Sequence, residues 1–419
     1  MASPLAAQEM SPVEGAVQIE LFEALERVQT HNEDWEIARL QIDRSRAARR
    51  EALAALLPQL SVSGSVTRNL GDEVAIEGRV IRQQYDWGVS ALASVTLFDG
   101  PRYPQLAQAD SMIELAEAET RWRHHILTLE AEQAFYTLAA TQREVEIAQV
   151  AVELRDAYLQ QAQALLEAGM AISLDVARAR TQVLEARQVL LEAEAARGNA
   201  SDSLSVLLGY EPTTRLRAQL AEFEELEAPT DAVLTELPER DDFIAQQRLI
   251  DASYHARRAI WWGILPRVDF RLTGTQGPAS LFNPEGRNVA ATVAFSWLLY
   301  DGGARYARMD AAQAQILERE LALDRNVRMA SAEMTRALRE WQTAVEAIDV
   351  AQDQIETAME AYEITRARFD SGLATSLEVT DASQALFRAE LGLNQVRLRA
   401  RLAESRYRYL DGTQSLENR

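Results

Sequence analysis

The stretch VAFSWLLYDG (residues 293–302) alternates apolar with small or polar side chains and ends at an Asp-Gly pair. Val293, Phe295 and Trp297 occupy every second position, which is the period of a β-strand with one apolar face. Residues 304–371 then contain no glycine or proline. The sequence therefore predicts a short strand that leads directly into an unusually long helix.

The same order occurs a second time, in VSALASVTLFDG (residues 89–100). Upstream of it, segment 32–62 aligns without gaps onto segment 240–270, so that Leu57-Pro58 falls on Leu265-Pro266. A repeat of about 200 residues indicates that one helix–strand–strand–helix unit is duplicated within the chain.

The composition excludes several classes of protein. The chain has 419 residues and a net charge of −21, which argues against nucleic acid or anionic lipid headgroups as partners. It has no cysteine, so disulfides, thiol catalysis and thiolate metal sites are excluded. No run of 18 apolar residues is present, so no transmembrane helix is expected. The opening Met1–Gln8 is compatible with the trimmed end of a leader peptide.

The segments without glycine or proline predict long helices. At about 1.5 Å per residue, each of the two longest would be on the order of 100 Å long. The two shorter helices of each repeat, placed end to end, match the long one, which gives two columns per repeat. The predicted elements of repeat one are a helix at 34–56, strands at about 59–70 and 86–98, and helices at 102–168 and 174–208. Those of repeat two are a helix at 242–264, strands at about 266–276 and 289–300, and helices at 304–371 and 377–410.

Each predicted strand has one apolar and one hydrophilic face. Val62 and Val66 alternate with Ser61, Ser63 and Ser65, and the other strands follow the same rule. Such segments are typical of a membrane barrel wall around a wet lumen. Alternation alone fits a soluble β-sandwich equally well, but the direct strand–helix junctions favour a barrel that continues into a helical tube.

Four strands cannot close a barrel, so several chains are needed. Two chains would give eight strands and a plugged interior, whereas three give twelve strands and a channel. Because the hydrophilic faces carry small serine, threonine and glycine residues, the sequence favours three chains. The expected fold is therefore a mixed α+β membrane protein, a trimeric 12-stranded β-barrel continuous with an α-helical coiled-coil barrel.

The chain is accordingly divided into five parts. Residues 1–20 are expected to be an N-terminal extension, 21–212 the first repeat, 213–239 an acidic equatorial linker, 240–412 the second repeat and 413–419 a C-terminal tail. The linker assignment depends on the run of acidic residues between Glu222 and Asp242, which Pro229 and Pro238 interrupt.

The chain resembles the TolC family of outer-membrane efflux and secretion channels over about residues 20–412. The resemblance depends on the duplicated order of elements and on the tip sequence GLATSLEVTDA (residues 372–382). It implies a homotrimeric, non-catalytic conduit across the periplasm and outer membrane of a Gram-negative bacterium, with no cofactor. It also implies a periplasmic adaptor and an inner-membrane transporter of RND, ABC or MFS type as partners. A soluble coiled-coil scaffold is the competing function.

Three acidic residues match the periplasmic aperture of the family. Glu378 and Asp381 lie three residues apart at a helix start, so their carboxylates share a face. Asp175 is the counterpart of Glu378, whereas Arg178 replaces the second acid in repeat one. Acidic residues in a first helical turn are more often simple caps, and only the resemblance favours the aperture.

The two hairpin tips match the family's adaptor-docking positions: Ala168, Gly169 and Met170 in repeat one, and Ser371, Gly372 and Leu373 in repeat two. A helix-ending turn explains both glycines equally well. Some members of the family close the aperture with a basic residue just after the tip glycine. Here that position is Ala374, so the resemblance predicts no such closing contact in this chain.

No catalytic or metal site is expected. The sequence contains no nucleophile–base pair, phosphate loop or metal-ligand spacing. His124 and His125 are adjacent on a helix and point in different directions, so they are interpreted as solvated surface. Aromatic residues at the strand ends, including Tyr85, Trp87 and Phe282, fit either interfacial girdles or ordinary buried positions.

Overall fold

The computed structural model describes residues 16–70, 74–76, 79–82, 84–211, 213–219, 228–229, 240–278 and 285–411. The predicted tail 413–419, most of the acidic linker and Phe282 lie outside these residues. The helices are α1 Leu21–His31, α2 Glu33–Ala54, α3 Arg102–Glu167, α4 Ser173–Leu207, α5 Asp241–Trp262, α6 Ala304–Asp370 and α7 Ser376–Asp411. The strands are β1 Val17–Ile19, β2 Gln59–Arg68, β3 Val74–Ile76, β4 Arg79–Arg82, β5 Tyr85–Phe98, β6 Leu216–Ala218, β7 Arg267–Gln276 and β8 Arg287–Ser296.

The two longest helices have 66 and 67 residues. Both are rich in alanine and glutamate, which are strong helix formers. None of the helices in the described ranges combines the length and apolar character needed to cross a lipid bilayer.

The chain divides into two compact units. The described residues of Ala38–Thr120 and Asp241–Val327 form one, called here the sheet unit, and those of Met1–Ile37, Arg121–Arg240 and Arg328–Arg419 form the other, called the tip unit.

The sheet unit contains an antiparallel sheet of four strands in the order β2-β5-β7-β8. Its helices carry several ion pairs, among them Arg49 with Asp110 at 2.5 Å and Arg248 with Glu114 at 3.0 Å. The first strand-connecting loop holds a further short antiparallel pair, β3 and β4, which the sequence analysis did not predict.

The last strand is shorter than predicted. The sequence analysis places it at about 289–300, but β8 ends at Ser296. Ser296 pairs with Arg267, the first residue of β7, and the preceding residue is Pro266, which has no N–H group to extend the ladder. Trp297 instead donates its indole N–H to the carbonyl of Ile264 over 2.8 Å.

The tip unit is organised around a core that the sequence analysis did not predict. Strand β1, within the predicted N-terminal extension, pairs in parallel with β6, within the predicted linker. Ile19, Phe135, Leu138 and Leu204 of this core are fully buried. The extension and the linker therefore contribute to the packed structure.

Helix α4 ends against the last turn of α1. Gly209 has φ +68°. Two backbone hydrogen bonds close the end of the helix: Tyr210 N–H donates to Ser205 O at 2.8 Å, and Gly209 N–H donates to Val206 O at 3.1 Å. A Cβ atom at Gly209 would lie 2.4 Å from the carbonyl oxygen of His31. Both the left-handed backbone and the close contact require glycine here.

Gly209→Ala should lower the free energy of unfolding by about 2 kcal/mol or more, because the new methyl group meets backbone and the φ angle is unfavourable. The matched control is Gly198→Ala within α4, where an added Cβ meets no atom within 4 Å. That substitution should be stabilising by about 1 kcal/mol. Circular dichroism during thermal unfolding measures both, and equal melting temperatures for the two variants would contradict the packing described here.

Candidate functional site

The two helical hairpins of the tip unit end in the same cap. In the first, Met170 N–H donates to Leu165 O at 2.8 Å and Gly169 N–H donates to Leu166 O at 3.0 Å. In the second, Leu373 N–H donates to Arg368 O at 2.8 Å and Gly372 N–H donates to Phe369 O at 2.9 Å. Gly169 has φ +71° and Gly372 has φ +76°. This pair of bonds is the Schellman motif, which explains both glycines without any binding partner.

The six residues predicted for adaptor docking are all exposed. Met170 is 76% exposed and Leu373 is 71% exposed, and each follows its glycine directly. The hydrogen bonds of the two caps are made by backbone groups and not by these side chains. These two residues therefore remain available for a contact outside the chain.

Glu378 forms an N-terminal cap of α7. Its Oε2 accepts hydrogen bonds from the Thr375 backbone N–H at 2.6 Å and from the Thr375 hydroxyl at 2.9 Å. The Glu378 N–H donates back to Thr375 Oγ1 at 3.4 Å, which completes a capping box. Hydrogen bonding from the Thr375 backbone, then from its hydroxyl, holds the pKa of Glu378 below its ordinary value.

The counterpart Asp175 has the same position in α4 and accepts from the Ile172 N–H at 3.3 Å. Asp381 differs from both. It is exposed, and its side chain makes no hydrogen bond or ion pair with any residue that the structure describes. Glu378 and Asp175 are thus caps as well as charges, whereas Asp381 has no structural partner in the described part of the chain.

Polar contacts connect the first hairpin to the second near the tips. Gln161 Nε2 donates to Asp370 Oδ1 at 3.5 Å, and the Thr380 hydroxyl donates to Gln182 Oε1 at 3.2 Å. The buried Arg155 donates to Gln384. Sequence reasoning missed these pairs, because no periodicity indicates which side chains of two separate hairpins meet.

An apolar cluster lies beneath these polar contacts. It contains the buried residues Tyr362, Val379 and Leu386, and the rings of Tyr158 and Phe369 are 5.8 Å apart. Burial raises the pKa of the Tyr158 hydroxyl, so it stays protonated at neutral pH. The two hairpins are therefore held together by side-chain packing behind the exposed tips.

Most apolar side chains of the four-stranded sheet lie on one face, and most hydroxyl-bearing side chains lie on the other. Register pairs Val62 with Ala91, and Val95 with Phe270, which in turn pairs with Val293. These apolar residues therefore share one face. The other face carries mainly hydroxyl-bearing and small residues: Ser61, Ser63, Ser65, Thr67, Ser90, Ser94, Thr96, Thr273, Thr275, Thr292 and Ser296.

The apolar face is exposed. Leu60 is 76% exposed, Val66 83%, Val293 65% and Phe295 64%. Because large apolar surfaces on proteins mark an interaction with lipid or protein, this face requires an apolar environment outside the chain.

The two adjacent histidines are less exposed than the sequence analysis predicts. His124 and His125 are both partly buried, and His124 packs edge-on against Trp35 with ring centroids 5.2 Å apart. Burial, and then the charge of His125, lowers the pKa of His124. No cluster of ligands that could hold a metal ion occurs among the described residues.

Comparison with known proteins decides the family. The sequence profile of the family "Outer membrane efflux protein" matches residues 24–210 and 242–413. The chain belongs to this family.

Individual relatives agree with this assignment. The chain is 25% identical to the toluene efflux pump outer membrane protein TtgC of Pseudomonas putida over 382 residues, which cover 87% of this chain and 76% of TtgC. It is 23% identical to the cation efflux system protein CusC of Escherichia coli over 388 residues, which cover 90% of this chain and 81% of CusC. The crystal structure of the CmeC outer membrane channel of Campylobacter jejuni superposes with a TM-score of 0.83 at 17% identity, over 95% of this chain and 87% of CmeC.

These findings confirm the resemblance and the fold class, a helix-rich protein with a four-stranded sheet. They also confirm that the protein is an outer-membrane efflux protein. Its relatives are channel proteins, and the alternative of a soluble scaffold finds no support among them.

Glu378→Gln should loosen the first turn of α7, because an amide is a weaker acceptor for the two Thr375 bonds. Since the pKa of Glu378 is lowered in the folded state, its stabilising effect is complete above the ordinary carboxylate pKa of 4.5. The effect is lost as the pH falls through the lowered folded pKa.

Amide hydrogen exchange of residues 376–380 measures this local opening. Exchange should be faster in Glu378→Gln, and the control Asp381→Asn should leave it unchanged, because Asp381 has no partner in the described structure. Equal exchange in wild type and Glu378→Gln would contradict the cap.

Proposed function

We propose that the protein is the passive exit duct of an efflux assembly and that three copies form it. The observation that carries the proposal is the exposed apolar face of the sheet, which register makes continuous across all four strands. A lipid bilayer covers such a face, while the hydroxyl-bearing face lines water. The strand length of about ten residues matches a tilted membrane-spanning strand.

The edges of the sheet support a closed assembly of several chains. Within the described residues, β2 pairs only with β5 and β8 pairs only with β7. An open edge inside a bilayer would leave backbone groups without hydrogen bonds, which is strongly unfavourable. Joining β8 of one copy to β2 of the next satisfies both edges, and three copies give a twelve-stranded barrel with an open lumen.

Transport through such a duct needs an energy source elsewhere. The proposed partners are a periplasmic adaptor and an inner-membrane transporter of RND, ABC or MFS type, with no cofactor and no catalytic step in this chain. The names of relatives refer to efflux of toluene and of cations, so a small-molecule or ion substrate is favoured.

The proposed periplasmic aperture is formed by Glu378 and Asp381, with Asp175 beside them. Asp381 is exposed without a partner in the described chain, and only Oε2 of Glu378 takes part in the cap. Three copies would therefore bring six carboxylates of the second tips together. Such a ring concentrates cations and repels anions.

Glu378→Ala with Asp381→Ala should weaken block by a multivalent cation by about tenfold or more in single-channel recordings, because the carboxylate ring is lost. The control is Asp353→Ala with Glu356→Ala, an exposed acidic pair of the same spacing within α6. Equal block in wild type and in the Glu378/Asp381 variant would contradict the aperture.

The exposed tips are the proposed adaptor-docking surface: Ala168, Gly169 and Met170 with Ser371, Gly372 and Leu373. Met170→Ser combined with Leu373→Ser should abolish efflux-dependent resistance, because two exposed apolar contacts are removed while the glycine caps remain. Cross-linking should show unchanged assembly of the copies.

The control for the tips is Val350→Ser, which removes a side chain of similar character, 68% exposed, from α6. Resistance that persists in the double tip variant at wild-type protein level would place the adaptor elsewhere.

A further inference from the structure

The polar face of the sheet carries few charges. Among the described strand residues on this face, the charged ones are Asp86, Arg267, Asp269 and Arg271. All other positions there are hydroxyl-bearing, amide, small or aliphatic. In a water-filled lumen, these four charges would therefore largely determine the electrostatic potential along this face.

Two of the four neutralise each other. Arg267 donates from Nε to Asp269 Oδ2 at 2.8 Å and from Nη2 to Asp269 Oδ1 at 3.0 Å. The Thr96 hydroxyl donates to the same Oδ1 at 2.9 Å. Both carboxylate oxygens of Asp269 are thus engaged.

The neighbouring charges at the strand–helix junction also balance. Asp99 Oδ2 accepts from Arg102 Nε at 3.0 Å and lies 3.7 Å from Arg267 Nη1. Arg102, Arg267, Asp99 and Asp269 together carry no net charge, so this group has no surplus negative charge to neutralise a further arginine.

Arg271 is the charge that remains. Its side chain is exposed and makes no hydrogen bond or ion pair with the described residues, although its charge interacts with that of Asp269 on the same strand. Register places it beside Ser94 on β5 and Thr292 on β8. Asp86 lies eight residues along β5 from Ser94, which is about 27 Å of strand.

Arg271, Ser94 and Thr292 together have the donor groups that an anion-binding site needs. The guanidinium fork matches carboxylate, phosphate and sulfonate oxygens in two parallel hydrogen bonds. The flanking Ser94 and Thr292 hydroxyls add donors on both sides. The corresponding position of repeat one is Ser63, so the positive charge belongs to one strand of each chain.

We propose that Arg271, flanked by Ser94 and Thr292, forms an anion-recognition ring in the lumen of the sheet, which binds a carboxylate, phosphate or sulfonate group independently of the acidic ring at the proposed aperture. The ring rests on the proposed function, since three copies and a water-filled lumen are needed to bring three guanidinium groups together. In a chain of net charge −21, it is a positive site within a predominantly acidic protein.

Single-channel recording with inositol hexakisphosphate as the probe tests the ring. The polyanion is added to each side of the bilayer in turn. Arg271→Ser, which copies Ser63 of the other repeat, should weaken block by about tenfold or more, because the charge-assisted contacts are lost. Arg271→Lys should restore only part of the block, since it keeps the charge but lacks the guanidinium fork.

The matched control is Arg68→Ser. Arg68 lies on the sheet but on the apolar side, where it pairs in register with Tyr85 and its guanidinium is 5.5 Å from that ring. Removing this charge should leave the block unchanged.

The absence of native cysteine allows a second measurement. An anionic methanethiosulfonate reagent should reduce the current of Arg271→Cys and leave that of Leu272→Cys unchanged, because the two residues point to opposite faces.

The two proposals fail in different ways. No conductance in any variant, or current loss on modification of Leu272→Cys, would overturn the exit duct and the ring with it. If the Arg271→Cys channel conducts and reacts with the reagent, but Arg271→Ser is blocked as strongly as wild type, the anion ring alone is overturned.

Discussion

Strand register is the constraint on which the rest of the structure depends. Val95, Phe270 and Val293 are cross-strand neighbours, so a shift of one residue in any of the three ladders would mix apolar with hydroxyl-bearing side chains on both faces. With the observed register the two faces need two different environments. In the proposed barrel, a lipid bilayer outside and water inside would provide both, and the family assignment to the outer membrane agrees with this.

The junctions with the helices follow from the same constraint. Pro266 precedes the first paired residue of β7, and β8 ends opposite that residue. Asp301 is the N-terminal cap of α6, since its Oδ1 accepts from Gly303 N–H at 3.2 Å and its Oδ2 accepts from Arg305 N–H at 2.9 Å. Asp301 and Gly302 therefore lie between the end of β8 and the start of α6, and the Asp301 side chain stabilises the first turn of that helix.

Features with a strong local signal could be predicted from the sequence. Alternation defines the two faces of the sheet, the absence of glycine and proline over residues 105–168 and 304–371 defines most of α3 and α6, and Gly169 and Gly372 mark the hairpin ends. Features that depend on contacts between distant segments could not. Strands β1 and β6 have three residues each, too few for a period, and they form because Ile19 and Leu216 are buried in a core made by other helices. The same holds for the pair of Gln182 with Thr380, whose polar side chains carry no distinctive local signal. The end of β8 was placed too late because Trp297 and Leu299 continue the apolar alternation beyond the last available partner.

In the proposed aperture, Glu378 would be both a helix cap and a functional charge. Bringing several carboxylates together raises their pKa values, because each ionised group disfavours the ionisation of its neighbours. The cap acts in the opposite direction, since Glu378 accepts two hydrogen bonds from Thr375 in its ionised form and its pKa is lowered. In the proposed trimer, the capping box therefore keeps Glu378 charged where mutual repulsion would otherwise promote protonation. The Asp381 side chain lacks such bonds among the described residues. The two acids of the ring, although three residues apart on one helix face, are therefore not equivalent, and the sequence spacing alone does not reveal the difference.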